Sequence, residues 1–173
     1  MTEEQPYEVV GEYAGFELRS YPEHVVAETR VQGSFEGVGT ASFRRLFAYI
    51  GGRNAGAQKV AMTAPVVQER EDEAADSYVV GFVMPSGLRV DGAPEPTDPR
   101  VRLRRIPAHT AAALRFSGRW TGRRYEEHAE RLMSAVQAAG LEVVGRPRFA
   151  RFDPPWTPWF RRRNEVVVPV LPP

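Results

Sequence analysis

The spacing of apolar and polar residues changes along the chain, and each change predicts an element. Phe43, Leu46, Phe47 and Ile50 fall at i, i+3, i+4 and i+7, the spacing of one helix face, and Gly51-Gly52 stops the run. A second stripe comprises Tyr125, His128, Ala129, Leu132, Val136 and Ala139, ends at Gly140, and has Thr121 placed to cap its first turn. Elsewhere the period is two. Tyr78, Val80, Phe82 and Met84 point one way, and Val166, Val168 and Val170 share a face near the C-terminus.

These elements come in the same order twice. FELRSYPEHVVAETRVQGS leads into the first amphipathic segment, then KVAMTAPVV, then YVVGFVMP; VRLRRIPAHTAAALRFSGR leads into the second, then RPRFARFDPP, then NEVVVPVLP. Tyr21-Pro22-Glu23-His24 answers to Ile106-Pro107-Ala108-His109, and Thr63-Ala64-Pro65 to Phe152-Asp153-Pro154. The proline of Thr63-Ala64-Pro65 removes a ladder donor, so a strand there ends or lies at an edge. Glu69 to Asp76 reads as a polar hairpin loop, and the proline- and glycine-rich stretch 85–99 as a linker. The prediction is one α+β domain over 1–173, with βαββ pseudo-repeats at about 7–84 and 100–171. They would form a distorted antiparallel β-barrel or twisted sheet with two amphipathic helices. A duplicated fold of this kind leaves a crevice in which a ligand can lie.

Composition narrows the chemistry. The chain has 173 residues and no cysteine, which excludes disulfides, thiolate metal sites and cysteine nucleophiles. The opening MTEEQPYEVV lacks a basic region followed by an apolar one, and the apolar runs are too short to span a bilayer; a soluble, cytoplasmic protein is expected. Net charge is +1, but residues 1–99 hold 8 basic and 16 acidic side chains, and residues 100–173 hold 15 and 6. The arginines stand singly among apolar residues, so the reading is charge complementarity within the fold, with no nucleic-acid partner. Three histidines, at 24, 109 and 128, lack zinc-type spacing. No G-x-S-x-G elbow, P-loop or dinucleotide motif is present, and the expectation is a protein that is not an enzyme.

Several motifs in order carry a resemblance over nearly the whole chain. They are Phe16-Glu17-Leu18-Arg19-Ser20-Tyr21, Gly51-Gly52-Arg53-Asn54, Lys59-Val60-Ala61-Met62-Thr63-Ala64-Pro65-Val66, Phe82-Val83-Met84-Pro85, Phe152-Asp153-Pro154-Pro155 and Arg163-Asn164-Glu165-Val166. In these the chain resembles the SOUL haem-binding proteins, and its duplicated fold is similar to the ligand-binding domains of multidrug-responsive regulators. The resemblance implies a haem or other tetrapyrrole held in an apolar groove, in a carrier or buffer role. Some members place a histidine just before the Tyr-x-Pro element as an axial ligand; here that position is Ser20.

Carried over by motif, Arg53 and Lys59 are candidates for the propionates, and Met62 and Phe82 for contact with the ring. Lys59, the single lysine, reads also as a charge that blocks strand-edge pairing, and Met62 also as core filler. Trp156 and Trp159, set among prolines, either cover a flat ligand or pack on the barrel end, while Phe43 and Phe47 are expected on the core face. Glu165 alternates with valines and is the possible groove acid, with a raised pKa if unpaired or an arginine partner if not. The alternative function is a groove for another amphipathic or cationic small molecule, with hydrolysis as a further variant.

Overall fold

The computed structural model describes residues 2–72 and 76–173. Its elements are β1 (Glu3–Glu4), β2 (Glu8–Tyr13), β3 (Phe16–Tyr21), β4 (His24–Gln32), α1 (Val38–Ile50), β5 (Thr63–Ala64), β6 (Val66–Arg70), β7 (Ser77–Val83), β8 (Val101–Ile106), β9 (His109–Phe116), α2 (Gly122–Ala138), β10 (Arg148–Arg151) and β11 (Asn164–Pro169). A turn of 3₁₀ helix, Trp159–Arg161, precedes β11. The fold is α+β. Among the described residues no helix is long and apolar enough to cross a membrane.

Two compact units interleave in the sequence. Unit 1 comprises Met1–Gln5 and Glu23–Pro107; unit 2 comprises Pro6–Pro22 and Ala108–Pro173. Unit 1 has strand order β6-β7-β4-β8 and unit 2 has β10-β11-β9-β3-β2, every named pair antiparallel. Each unit therefore contains one βαββ run, and its next strand comes from elsewhere in the chain. β8 lies beside β4, and β3 lies beside β9. Within each unit the strand order is linear and does not return on itself. Of the two forms expected from the sequence, the twisted sheet is realised and the closed barrel is not.

The matched Pro-x-His segments mark where the chain changes unit. β4 and β9 begin at His24 and His109, and their registers correspond: His24 faces Ile106 and His109 faces Tyr21. The other proposed match fails. Pro65 precedes β6, whereas Asp153-Pro154 follows β10, the strand equivalent to β6; Pro147 is the counterpart of Pro65. The Ala64-Pro65 bond is cis; β5 ends at Ala64, as expected of a strand that meets a proline, and β6 begins at Val66.

Each helix buries one face on its unit's sheet. α2 buries Tyr125, His128, Ala129, Leu132 and Val136, and Thr121 accepts a hydrogen bond from the Arg124 N–H at 3.3 Å. α1 buries Val38, Ser42, Leu46, Tyr49 and Ile50. Phe47 departs from the expected stripe and is 50% exposed, because the buried arc is centred on Ser42, Leu46 and Tyr49 and leaves residue 47 at its margin.

The 85–99 stretch packs onto unit 1. Tyr49 Oη donates to Pro94 O at 2.6 Å and Ala55 N donates to Glu95 O at 2.8 Å. Of the loop read at 69–76, the ends are tied by Glu71 N to Ser77 O at 2.9 Å, and residues 73–75 lie outside the described residues. The charge imbalance is partly answered inside unit 1. Arg102 and Arg104 of β8 reach the buried Glu28 of β4 at 2.8 and 3.0 Å, and Arg105 reaches Glu23 at 2.7 Å.

Candidate functional site

In unit 1 the candidates cluster around the end of α1. Gly52 adopts φ +118°, a left-handed conformation that glycine tolerates, and turns the chain out of the helix. Asn54 then knits the following loop: its Nδ2 donates to Tyr49 O at 2.8 Å and Gln58 O at 2.7 Å, and its Oδ1 accepts from Gln58 N at 2.9 Å. Val60 N donates to Ile50 O at 2.8 Å, which brings Lys59 to the helix end. Lys59 is exposed, and Met62 is half-buried just before β5.

Phe82 of β7 is 1% exposed and lies beneath the helix margin, its ring 5.1 Å from Phe47 and 6.2 Å from Phe43. It belongs to the core, and the ring available to a ligand is that of Phe47 above it. Sequence periodicity assigns Phe47 to the core face and so misses it. The signal that could have found it is the count of apolar positions, wider than one buried stripe can hold.

Arg53 stands with residues that its motif does not include. It lines a cavity of about 240 Å³ with Arg44, Arg45, Thr97, Asp98 and Arg100, and neither Lys59 nor Met62 takes part in that lining.

Unit 2 holds the remaining candidates. Glu165 of β11 is 1% exposed and is gripped by Arg19 of β3 at 2.7 and 2.9 Å, by Arg163 at 3.1 Å, and approached by Arg115 at 3.7 Å. Burial by itself raises this carboxyl's pKa, but the hydrogen bonds and charge of Arg19, then those of Arg163, outweigh it and hold the group below the usual carboxylate value. Of the two alternatives expected of Glu165 the arginine-paired one is found, and the carboxylate is an ionised anchor. On the same face Arg19 lies 4.0 Å over the Tyr7 ring, and Tyr21 stacks on His109 at 5.3 Å. The small residues Ala111 and Ala113 leave room for these rings.

Trp156 is 83% exposed, Trp159 48% and Phe160 60%, on the segment between β10 and β11. That segment is closed by Arg163 N on Asp153 Oδ2 at 2.5 Å and by Arg163 stacked 3.9 Å over Phe152. Phe152-Asp153-Pro154-Pro155 and Arg163-Asn164-Glu165 are thus two sides of one loop lock. The third tryptophan is built in instead: Trp120 Nε1 donates to the buried Asn164 Oδ1 at 2.8 Å, and Arg162 lies 4.3 Å over its ring.

Each of the three imidazoles has one ring nitrogen engaged. His24 Nε2 lies 3.1 Å from Gln5 Nε2, His109 Nε2 lies 3.3 Å from Arg148, and His128 Nδ1 lies 2.6 Å from Arg124 O while its ring stacks on Phe116. Among the described residues no group of three or more His, Cys, Asp or Glu could hold a metal ion.

The sequence profile of the SOUL heme-binding proteins matches residues 2–169. No curated protein matches the chain. The fold recurs in solved structures of low identity. The EcmrR C-terminal domain superposes with a TM-score of 0.61 at 18% identity, over 95% of this chain and 98% of that one. A structure described as a hydrolase from Listeria innocua gives 0.64 at 11%, over 94% of each. SAV2435 bound to tetraphenylphosphonium gives 0.53 at 8%, over 90% and 93%.

Proposed function

The chain belongs to the SOUL heme-binding protein family, and from that premise we propose that it holds a haem or related tetrapyrrole beside α1, as a carrier or buffer with no reaction of its own. The observation that carries the placement is the Phe47 ring, half-exposed and backed by the buried Phe82 at 5.1 Å. An exposed aromatic on a rigid base offers a flat apolar ligand a stacking surface without reorganisation. Lys59, tied to the end of the same helix, supplies a cation for the carboxylates, and Met62 supplies an adaptable apolar wall.

The residues fit the ring better than they fit its metal. Ser20 occupies the family's histidine position, and each of the three imidazoles present already has one ring nitrogen engaged. Retention must come from apolar burial. About 400 Å² of ligand surface removed from water contributes about 10 kcal/mol. Association costs of about 4–15 kcal/mol offset much of that, so micromolar affinity is expected. Exposed cations add about 0–1 kcal/mol each, which orients the ligand more than it holds it.

The second reading, a groove for a cationic molecule as in the tetraphenylphosphonium complex, would need an available carboxylate. Glu165 is the buried acid on the relevant kind of surface, and three arginines already surround it. The tetrapyrrole reading is therefore preferred.

Hemin titration tests it. A saturable Soret shift at micromolar concentration, weakened at least several-fold in Phe47→Ala and retained with an iron-free porphyrin, is expected. No saturable shift with either ligand would remove the reading.

A further inference from the structure

We propose that unit 1 carries a separate binding site for a phosphate-type oxyanion of two or more negative charges, in the cavity between α1 and the 96–101 segment. The cavity measures about 240 Å³. A cavity of this size can admit a small oxyanion such as a pyrophosphate group.

Four guanidiniums and one carboxylate line it: Arg44, Arg45, Arg53, Arg100 and Asp98. The carboxylate is already spoken for. Asp98 accepts from Arg100 Nε at 3.0 Å and Nη2 at 2.9 Å, and also from the Arg100 backbone N–H at 2.9 Å. Arg45 is held in position by Nη1 bonds of 3.2 Å to Thr29 Oγ1 and Arg30 O. The Arg44 and Arg53 side chains have no hydrogen-bond or ion-pair partner among the described residues. Two unpaired planar forks, a third anchored nearby and a carboxylate neutralised by a fourth leave an excess of three positive charges around one small cavity. Singly charged carboxylates would leave most of that excess uncompensated, whereas a phosphate group accepts bidentate bonds from several arginines together.

Backbone geometry also fixes Arg53. Its N–H donates to Ala48 O at 2.9 Å and its carbonyl accepts from Thr97 Oγ1 at 3.1 Å, so it is tied to both walls. In the tetrapyrrole reading Arg53 was offered to a propionate; the cavity assigns it to an oxyanion site that does not depend on that reading.

The test uses the full chain without tetrapyrrole. Calorimetric titration with pyrophosphate is expected to saturate, to weaken with added salt, and to be about tenfold weaker in Arg44→Gln and in Arg53→Gln. Arg123→Gln, on the exposed face of α2, removes the same charge and is expected to change affinity less than about twofold. Amide shifts at Arg53 and Thr97 on adding pyrophosphate, absent with citrate at equal concentration, would separate phosphate from carboxylate chemistry. Pyrophosphate binding by protein that fails to take up hemin would support this site while removing the tetrapyrrole reading. No saturation at about 10 mM, or equal weakening in Arg123→Gln, would overturn it.

Discussion

Arg19 and Glu165, 146 positions apart in sequence, meet as a doubly hydrogen-bonded pair at 2.7 and 2.9 Å with both side chains almost fully buried. The pair joins β3 to β11 across the intervening β9 in unit 2. Glu165→Gln leaves the buried Arg19 with only the partly exposed Glu17 carboxylate, 3.0 Å away, as counter-charge, and removal of the buried partner of such a pair costs up to about 3–5 kcal/mol. A Tm lowered by roughly 10 °C or more is expected by calorimetry. A change under about 2 °C would show that the pair adds little.

The same pair is expected to contribute to the acid limit of the fold. The Glu165 carboxyl is held below its ordinary value of 4.5 in the folded chain. Its contribution is therefore fully present above the unfolded value and is lost as pH falls through the lower folded value. Urea midpoints measured from pH 6 down to pH 2 should fall most steeply below about pH 4.5. Glu165→Gln should flatten that slope; an unchanged slope would assign acid unfolding to other groups.

Phe47 and Phe82 are neighbours with opposite expected phenotypes. Phe82→Ala opens a cavity in the core and should cost about 3–5 kcal/mol. Phe47→Ala removes a half-exposed ring and should cost about 1 kcal/mol or less, while weakening hemin binding at least several-fold. Chemical denaturation beside a Soret titration separates the two. Equal effects on stability would mean that Phe47 is core after all.

Trp156, at 83%, is the most exposed of the large apolar side chains among the described residues. Trp156→Ala should leave stability within about 0.5 kcal/mol of the parent. If the ring covers a ligand, the variant loses affinity for hemin and part of the tryptophan quenching that accompanies binding. Undiminished affinity would leave Trp156 without a part in ligand capture.

The helices are legible in the sequence because an apolar stripe at a 3.6 period has few other solutions; Leu132 and Val136 of α2 sit where the spacing puts them. The duplication is legible too, since Tyr21-Pro22 and Ile106-Pro107 mark equivalent points. Strand partnership is not legible. Nothing local in Val101–Ile106 states that β8 lies against β4, because register depends on distant hydrogen-bond partners. The candidate site divides the same way. Motif comparison points to Arg53 and Lys59, but the neighbours of Arg53 come from a helix face and from the stretch read as a linker. Arg44 and Arg100 are 56 positions apart, and only folding brings them to one cavity. Glu165 shows the limit of alternation: it correctly gives a buried side, but cannot tell whether arginines wait there.

The exchange of β3 and β8 between the two runs has a consequence for the origin of the chain. A half-length ancestor, one strand–βαββ segment, could complete its sheet only by lending its leading strand to an identical copy and borrowing one in return, as domain-swapped dimers do. Fusing the two copies turns that loan into an intramolecular one, so assembly no longer depends on protein concentration. Cleavage of the 85–99 stretch would restore the old dependence: each fragment would carry a strand its partner lacks, and neither would hold a complete set.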